Sequence, residues 1–88
     1  METKITFEEY LRKENLSENT ITSYLWTVNY FNVNYDVVSK ENLLAYKGYL
    51  MEFFKPKTVN LRIQAINKYL EYLEEHPETS HNANYPHL

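Results

Sequence analysis

The chain has 88 residues, so it holds one domain at most, because a second core would leave each too little surface to bury. Hydrophobic residues make up 43% and aromatic residues 16%, enough for one core, and the lack of cysteine excludes a disulfide framework, a thiolate metal site and a thiol nucleophile. A net charge of −3 argues on its face against a nucleic-acid partner, yet residues 1–73 hold nine acids against all nine bases, and the excess (Glu74, Glu75, Glu78) sits at or past the end of the last expected helix. No apolar run approaches the ~20 residues of a membrane span and the N-terminus shows no signal-peptide pattern, which predicts a soluble, cytoplasmic protein with no membrane partner. With one glycine and three prolines, the main breakers of regular structure are scarce, and long continuous elements are favoured.

Taken in chain order, the elements are four helices. Thr6-Phe7-Glu8-Glu9 fits a capping box, and Phe7, Tyr10 and Leu11 share a face, predicting a first helix over about residues 6–15. Asn15-Leu16-Ser17 is a turn with Ser17 placed as the next cap, after which Ile21, Tyr24, Leu25, Val28 and Phe31 follow the three-and-four spacing of a buried stripe. The second helix fades through Asn32–Asp36, where asparagine and aspartate favour a turn. Ser39 caps a third helix that directs Leu43, Tyr46, Leu50, Phe53 and Phe54 inward and carries Gly48 on its outer face. Lys55-Pro56-Lys57 ends it and starts a fourth helix over about 57–75, with Val59, Ile63, Ile66, Tyr69, Leu70 and Leu73 facing the core, before His76-Pro77 stops it. No strand or internal repeat is expected. The fold class is all-α, a compact four-helix orthogonal bundle over residues 1–76, with 77–88 as a tail or truncated linker.

Two segments carry a recognisable pattern: Leu16-Ser17-Glu18-Asn19-Thr20-Ile21-Thr22-Ser23-Tyr24, followed by Val28 and Phe31, and Thr58-Val59-Asn60-Leu61-Arg62 continuing to Tyr69-Leu70-Glu71-Tyr72-Leu73. Together they resemble the SAM-like core-binding domain at the N-terminus of tyrosine recombinases, the phage-type integrases. Phe7–Leu11 and Ser39–Leu43 match that family's first and third helices more loosely, so the resemblance runs in order over about residues 6–73. It implies a non-catalytic module that clamps double-stranded DNA for integration and recombination, together with a separate catalytic domain of the same parent chain that holds the nucleophilic tyrosine. Neighbouring recombinase protomers are a further partner it leaves open. On this reading the chain is not an enzyme and its nine tyrosines are no evidence of a nucleophile.

In the family the starts of the second and fourth helices approach the DNA, and a helix start is independently suited to phosphate because it presents unpaired N–H groups and a partial positive charge. The positions carried over are Ser17, Asn19, Thr20 and Ser23 in the second helix and Lys57, Thr58, Asn60 and Arg62 in the fourth. Lys55 adds charge at the same edge and Gln64 extends the polar side, where an amide can read a base edge. Plainer readings stand beside these. Ser17 and Thr58 serve equally as helix caps, Asn60 and Gln64 as a solvated face, Lys55 and Lys57 as surface charges, and Arg62 as a packed stem with a wet head.

Trp26 and Tyr30 project away from the buried stripe, as a contact surface or as a patch covered by the N-terminal arm or the tail. With the acidic charge they motivate an alternative, a helical protein–protein interaction module. His76, His81 and His87 lack the fixed spacing of a metal site, no glycine-rich phosphate loop occurs, and neither a metal nor a cofactor is expected.

Overall fold

A computed structural model describes residues 5–76, in which four α-helices surround one core. They are α1 (Phe7–Lys13), α2 (Glu18–Asn34), α3 (Lys40–Phe53) and α4 (Pro56–Glu75). The expected tail, with His81 and His87, lies outside the described residues.

The helix starts follow the caps written in the sequence. Thr6 and Glu9 form the full capping box, with Thr6 Oγ1 accepting from the Glu9 N–H at 3.1 Å and Glu9 Oε1 accepting from the Thr6 N–H at 2.8 Å. Ser17 accepts from the Thr20 N–H at 3.2 Å, and Ser39 from the Asn42 N–H at 3.1 Å. Asn15 turns the chain out of α1 with φ 62°, a left-handed conformation that asparagine tolerates better than most side chains. Gly48 lies on the outer face of α3, where a Cβ would meet nothing within 4 Å.

The core comprises Phe7, Tyr10 and Leu11 of α1, Ile21, Tyr24, Val28 and Phe31 of α2, Leu43, Tyr46 and Leu50 of α3, and Val59, Ala65, Ile66, Leu70, Tyr72 and Leu73 of α4. Burial of each large side chain contributes about 1.5–3 kcal/mol, which is what holds short helices together that would not persist alone. Aromatic contacts dock α1 on the C-terminal half of α4: Phe7 meets Tyr69 edge-on at 5.2 Å, and Tyr10 meets Tyr72 at 5.4 Å. The Tyr10 hydroxyl donates to Glu71 Oε2 at 2.8 Å, and the Tyr72 hydroxyl donates to the Ile5 carbonyl, so both phenols are buried with their polar tips satisfied.

Several details differ from the sequence expectation. Helix α2 continues to Asn34, past the asparagines expected to fade it, and closes with the Tyr35 N–H bonded to the Phe31 carbonyl. Phe53, expected inward, is 65% exposed, because α3 ends there and Phe54 adopts an extended backbone (φ −130°, ψ 157°) that turns Phe54 to the core instead. Leu25, Ile63 and Tyr69 are half-buried around the core and not in it. Helix α4 starts at Pro56 with Lys55 in the capping position, so Thr58 lies inside the first turn and does not cap it.

Candidate functional site

The residues singled out at the start of α2 divide into two groups. Ser17 and Thr20 satisfy each other: besides the cap, the Ser17 hydroxyl donates to Thr20 Oγ1 at 3.0 Å. Glu18 follows directly and is tied to Arg12, whose guanidinium also bonds Glu8 at 2.9 Å. That hydrogen bond to Arg12 holds the Glu18 carboxyl below its ordinary range, so the first turn of α2 carries a fixed negative charge. Asn19 is exposed beside it.

Ser23 belongs to a second group, centred on Arg62. Thr27, wholly buried, donates its hydroxyl to the Ser23 carbonyl at 2.9 Å and accepts from Arg62 Nη1 at 2.9 Å. The Arg62 guanidinium lies over the Trp26 ring, 4.4 Å from its centroid, and Trp26 in turn stacks on Tyr30 at 5.6 Å. Tyr30 continues the stack onto Tyr49 of α3, with rings 13° from parallel and 5.8 Å apart. A small pocket of about 10 Å³ lined by Trp26, Tyr30, Tyr46, Tyr49, Leu50 and Phe54 closes around Arg62, whose Nε is buried without a hydrogen-bond partner among the described residues. The structure thus joins Ser23 and Arg62 through Thr27, and the arginine head engages α2. The two aromatics left over by the stripe of α2 are accounted for in part: Tyr30 is half-buried against α3, while Trp26 is 51% exposed with the cation against it.

The start of α4 is chemically unlike the other three. Helices α1, α2 and α3 each have a side chain accepting from the first turn and an acid within it; α4 has neither. Lys55 holds the capping position without a side-chain hydrogen bond, Pro56 follows, and Lys57 is next. Both lysines are exposed and form no ion pair among the described residues. Asn60 and Gln64 are exposed on the same helix, and Thr58 is half-buried. Asn60 also borders an open groove of about 490 Å³ between α3 and α4, formed with Lys47, Met51, Phe54, Pro56, Val59 and Ile63. The bare N–H groups of the first turn, the positive end of the helix and two ammonium groups therefore coincide at one corner.

Among the described residues, no group of three or more histidine or acidic side chains is placed to hold a metal ion, and no helix is long and apolar enough to cross a membrane. His76 instead packs on Tyr10 and Tyr72, with ring centroids 5.8 and 5.3 Å away. The chain matches no protein-family description, no curated protein and no solved structure.

Proposed function

We propose that this chain is a DNA-binding helical module, of the kind its resemblance to the tyrosine-recombinase core-binding domain implies, that grips duplex DNA by the first turns of α4. The observation that carries the reading is the contrast among helix starts. At α4 the backbone N–H groups meet no capping side chain and no acid, and Lys55 and Lys57 stand exposed beside them. A phosphate at such a corner receives backbone hydrogen bonds, a helix dipole and two mobile positive charges together. Asn60 and Gln64 lie one and two turns further, where amide groups can supplement phosphate contacts or reach a base edge.

The start of α2 is a weaker partner in this reading, since its cap is self-satisfied and Glu18 would face the phosphates. Arg62 acts through Trp26 and Thr27 to fix α4 against α2, which orients the lysine corner without spending its own charge on DNA. Strand cleavage and rejoining belong, on this reading, to a catalytic domain elsewhere in a longer parent chain.

Binding to a labelled 20-base-pair duplex, followed by fluorescence anisotropy over a salt series, tests the reading. A double substitution, Lys55→Gln with Lys57→Gln, should weaken binding and flatten the slope of log K against log salt by about 1.8, since each neutralised phosphate contributes about 0.9. Equal affinity and an unchanged slope for the double variant would sink it.

A further inference from the structure

Four aromatic rings form a row across α2 and α3 that the DNA reading leaves unused. Trp26 stacks on Tyr30 at 5.6 Å, Tyr30 stacks on Tyr49 at 5.8 Å, and Tyr49 meets Phe53 at 5.2 Å. The inner two rings are half-buried, whereas Trp26 is 51% and Phe53 65% exposed, so the row opens to solvent at both ends. Contiguous exposed ring surface of this kind marks a contact site.

The charges around the row select the partner. Residues 19–35, which supply Trp26 and Tyr30, contain no charged side chain. Residues 46–67, which supply Tyr49 and Phe53, carry Lys47, Lys55, Lys57 and Arg62 against Glu52 alone, although the whole chain has a net charge of −3. Cations stand at both ends of the row. The Arg62 guanidinium lies 4.4 Å from the centre of the Trp26 ring, and Phe53 leads through Phe54 to Lys55. Phe54 joins the row to the start of α4, since it packs on Tyr49 at 5.9 Å and shares a groove wall with Pro56. Glu52, exposed next to Phe53, opposes these cations singly.

We propose that the row from Trp26 to Phe53 is a stacking platform for unpaired bases of single-stranded DNA, whose phosphates run to Lys55 and Lys57. Flat apolar rings flanked by positive charge suit a nucleotide strand, because every base has a face to stack and every phosphate a charge to pair. A base inside a duplex has both faces covered by its neighbours, and an acidic peptide matches the charges but not the flat rings. Resting on the DNA reading of the α4 corner, the platform gives that site its substrate class: DNA with a single-stranded stretch beside the grip.

Two labelled strands of about 12 nucleotides separate bases from phosphates: an oligothymidylate, and an abasic deoxyribose-phosphate strand of equal length. Anisotropy with the full chain at low salt should show the oligothymidylate bound at least about tenfold more tightly. It should also quench the emission of Trp26, the single tryptophan of the chain, while the abasic strand leaves that emission unchanged. Phe53→Ala, which removes an exposed ring, should reduce the preference for bases at least about fivefold, with circular dichroism establishing that the helices are intact. Lys55→Gln with Lys57→Gln should weaken both strands by the same factor. Equal affinity for the two strands, or a preference for bases that Phe53→Ala leaves unchanged, overturns the platform and leaves the α4 grip standing. A preference for bases that persists while the lysine double variant binds as tightly as wild type sinks the grip and not the stacking.

Discussion

Replacing Thr27 by valine isolates the polar link that fixes α4 to α2. The substitution keeps the branched shape of a side chain with no exposed surface and removes one hydroxyl. That hydroxyl accepts from Arg62 Nη1 at 2.9 Å, and Arg62 Nε is already buried without a partner, so the guanidinium loses a charge-assisted hydrogen bond it cannot replace locally. Such a bond contributes about 1.5–3 kcal/mol. The Ser23 carbonyl keeps its backbone position in α2 and the Trp26 face still holds the cation, which places the loss near the lower end, about 1.5–2 kcal/mol. For a domain of this size that corresponds to a fall in Tm of about 6–16 °C.

Urea unfolding followed by circular dichroism measures it, and a double-mutant cycle with Arg62→Met attributes it. In the methionine background no charge remains to be left unpaired, so Thr27→Val should be nearly neutral, giving a coupling of about 1.5 kcal/mol. A Thr27→Val change within about 0.5 kcal/mol of wild type, or the same loss in both backgrounds, would refute the role given to this link.

Two further outcomes follow from the same structure. Gly48→Ala should stabilise the fold by about 0.8–1 kcal/mol in urea unfolding, since the position is helical and open; a destabilisation would mean that the glycine serves the fold. Burial pushes the Tyr46 hydroxyl up to about 12 from an ordinary 10, and burial together with the hydrogen bond to Glu71 raises Tyr10 as well. A group whose folded pKa is raised contributes stability that is complete below the unfolded value, so stability should hold up to about pH 10 and fall as pH rises toward 12. Absorbance at 295 nm alongside helix content checks this, and titration of all nine tyrosines together near pH 10 with the helices intact would contradict it.

What could be read from the chain follows the range of the interactions involved. Thr6, Ser17 and Ser39 act within four residues of themselves, and the structure has all three as caps. The stripe residues Ile21, Val28, Leu43, Leu50, Ile66 and Leu70 are buried as their spacing predicts. Tyr72 was not legible as core because its burial depends on a carbonyl 67 residues away, at Ile5. Thr27 is a polar residue outside the apolar stripe of α2, and it is buried through a partner 35 residues distant on α4. Phe53 kept the helical spacing of the stripe, but the helix stops there and the backbone of Phe54 turns away from that spacing. For the candidate site, the exposed Lys55, Lys57, Asn60 and Gln64 stand where the fourth helix start was expected to offer them. The inward engagement of Arg62 required knowing which ring of α2 would lie beneath it.

The most direct measurement is an NMR titration of the isotope-labelled chain with a short duplex at low salt. The largest amide shifts should cluster at residues 55–60, extend to Gln64, and collapse as salt rises. Shifts absent from that turn, or centred on the exposed Leu44 and Met51 of α3, would contradict the assignment of DNA to the start of α4.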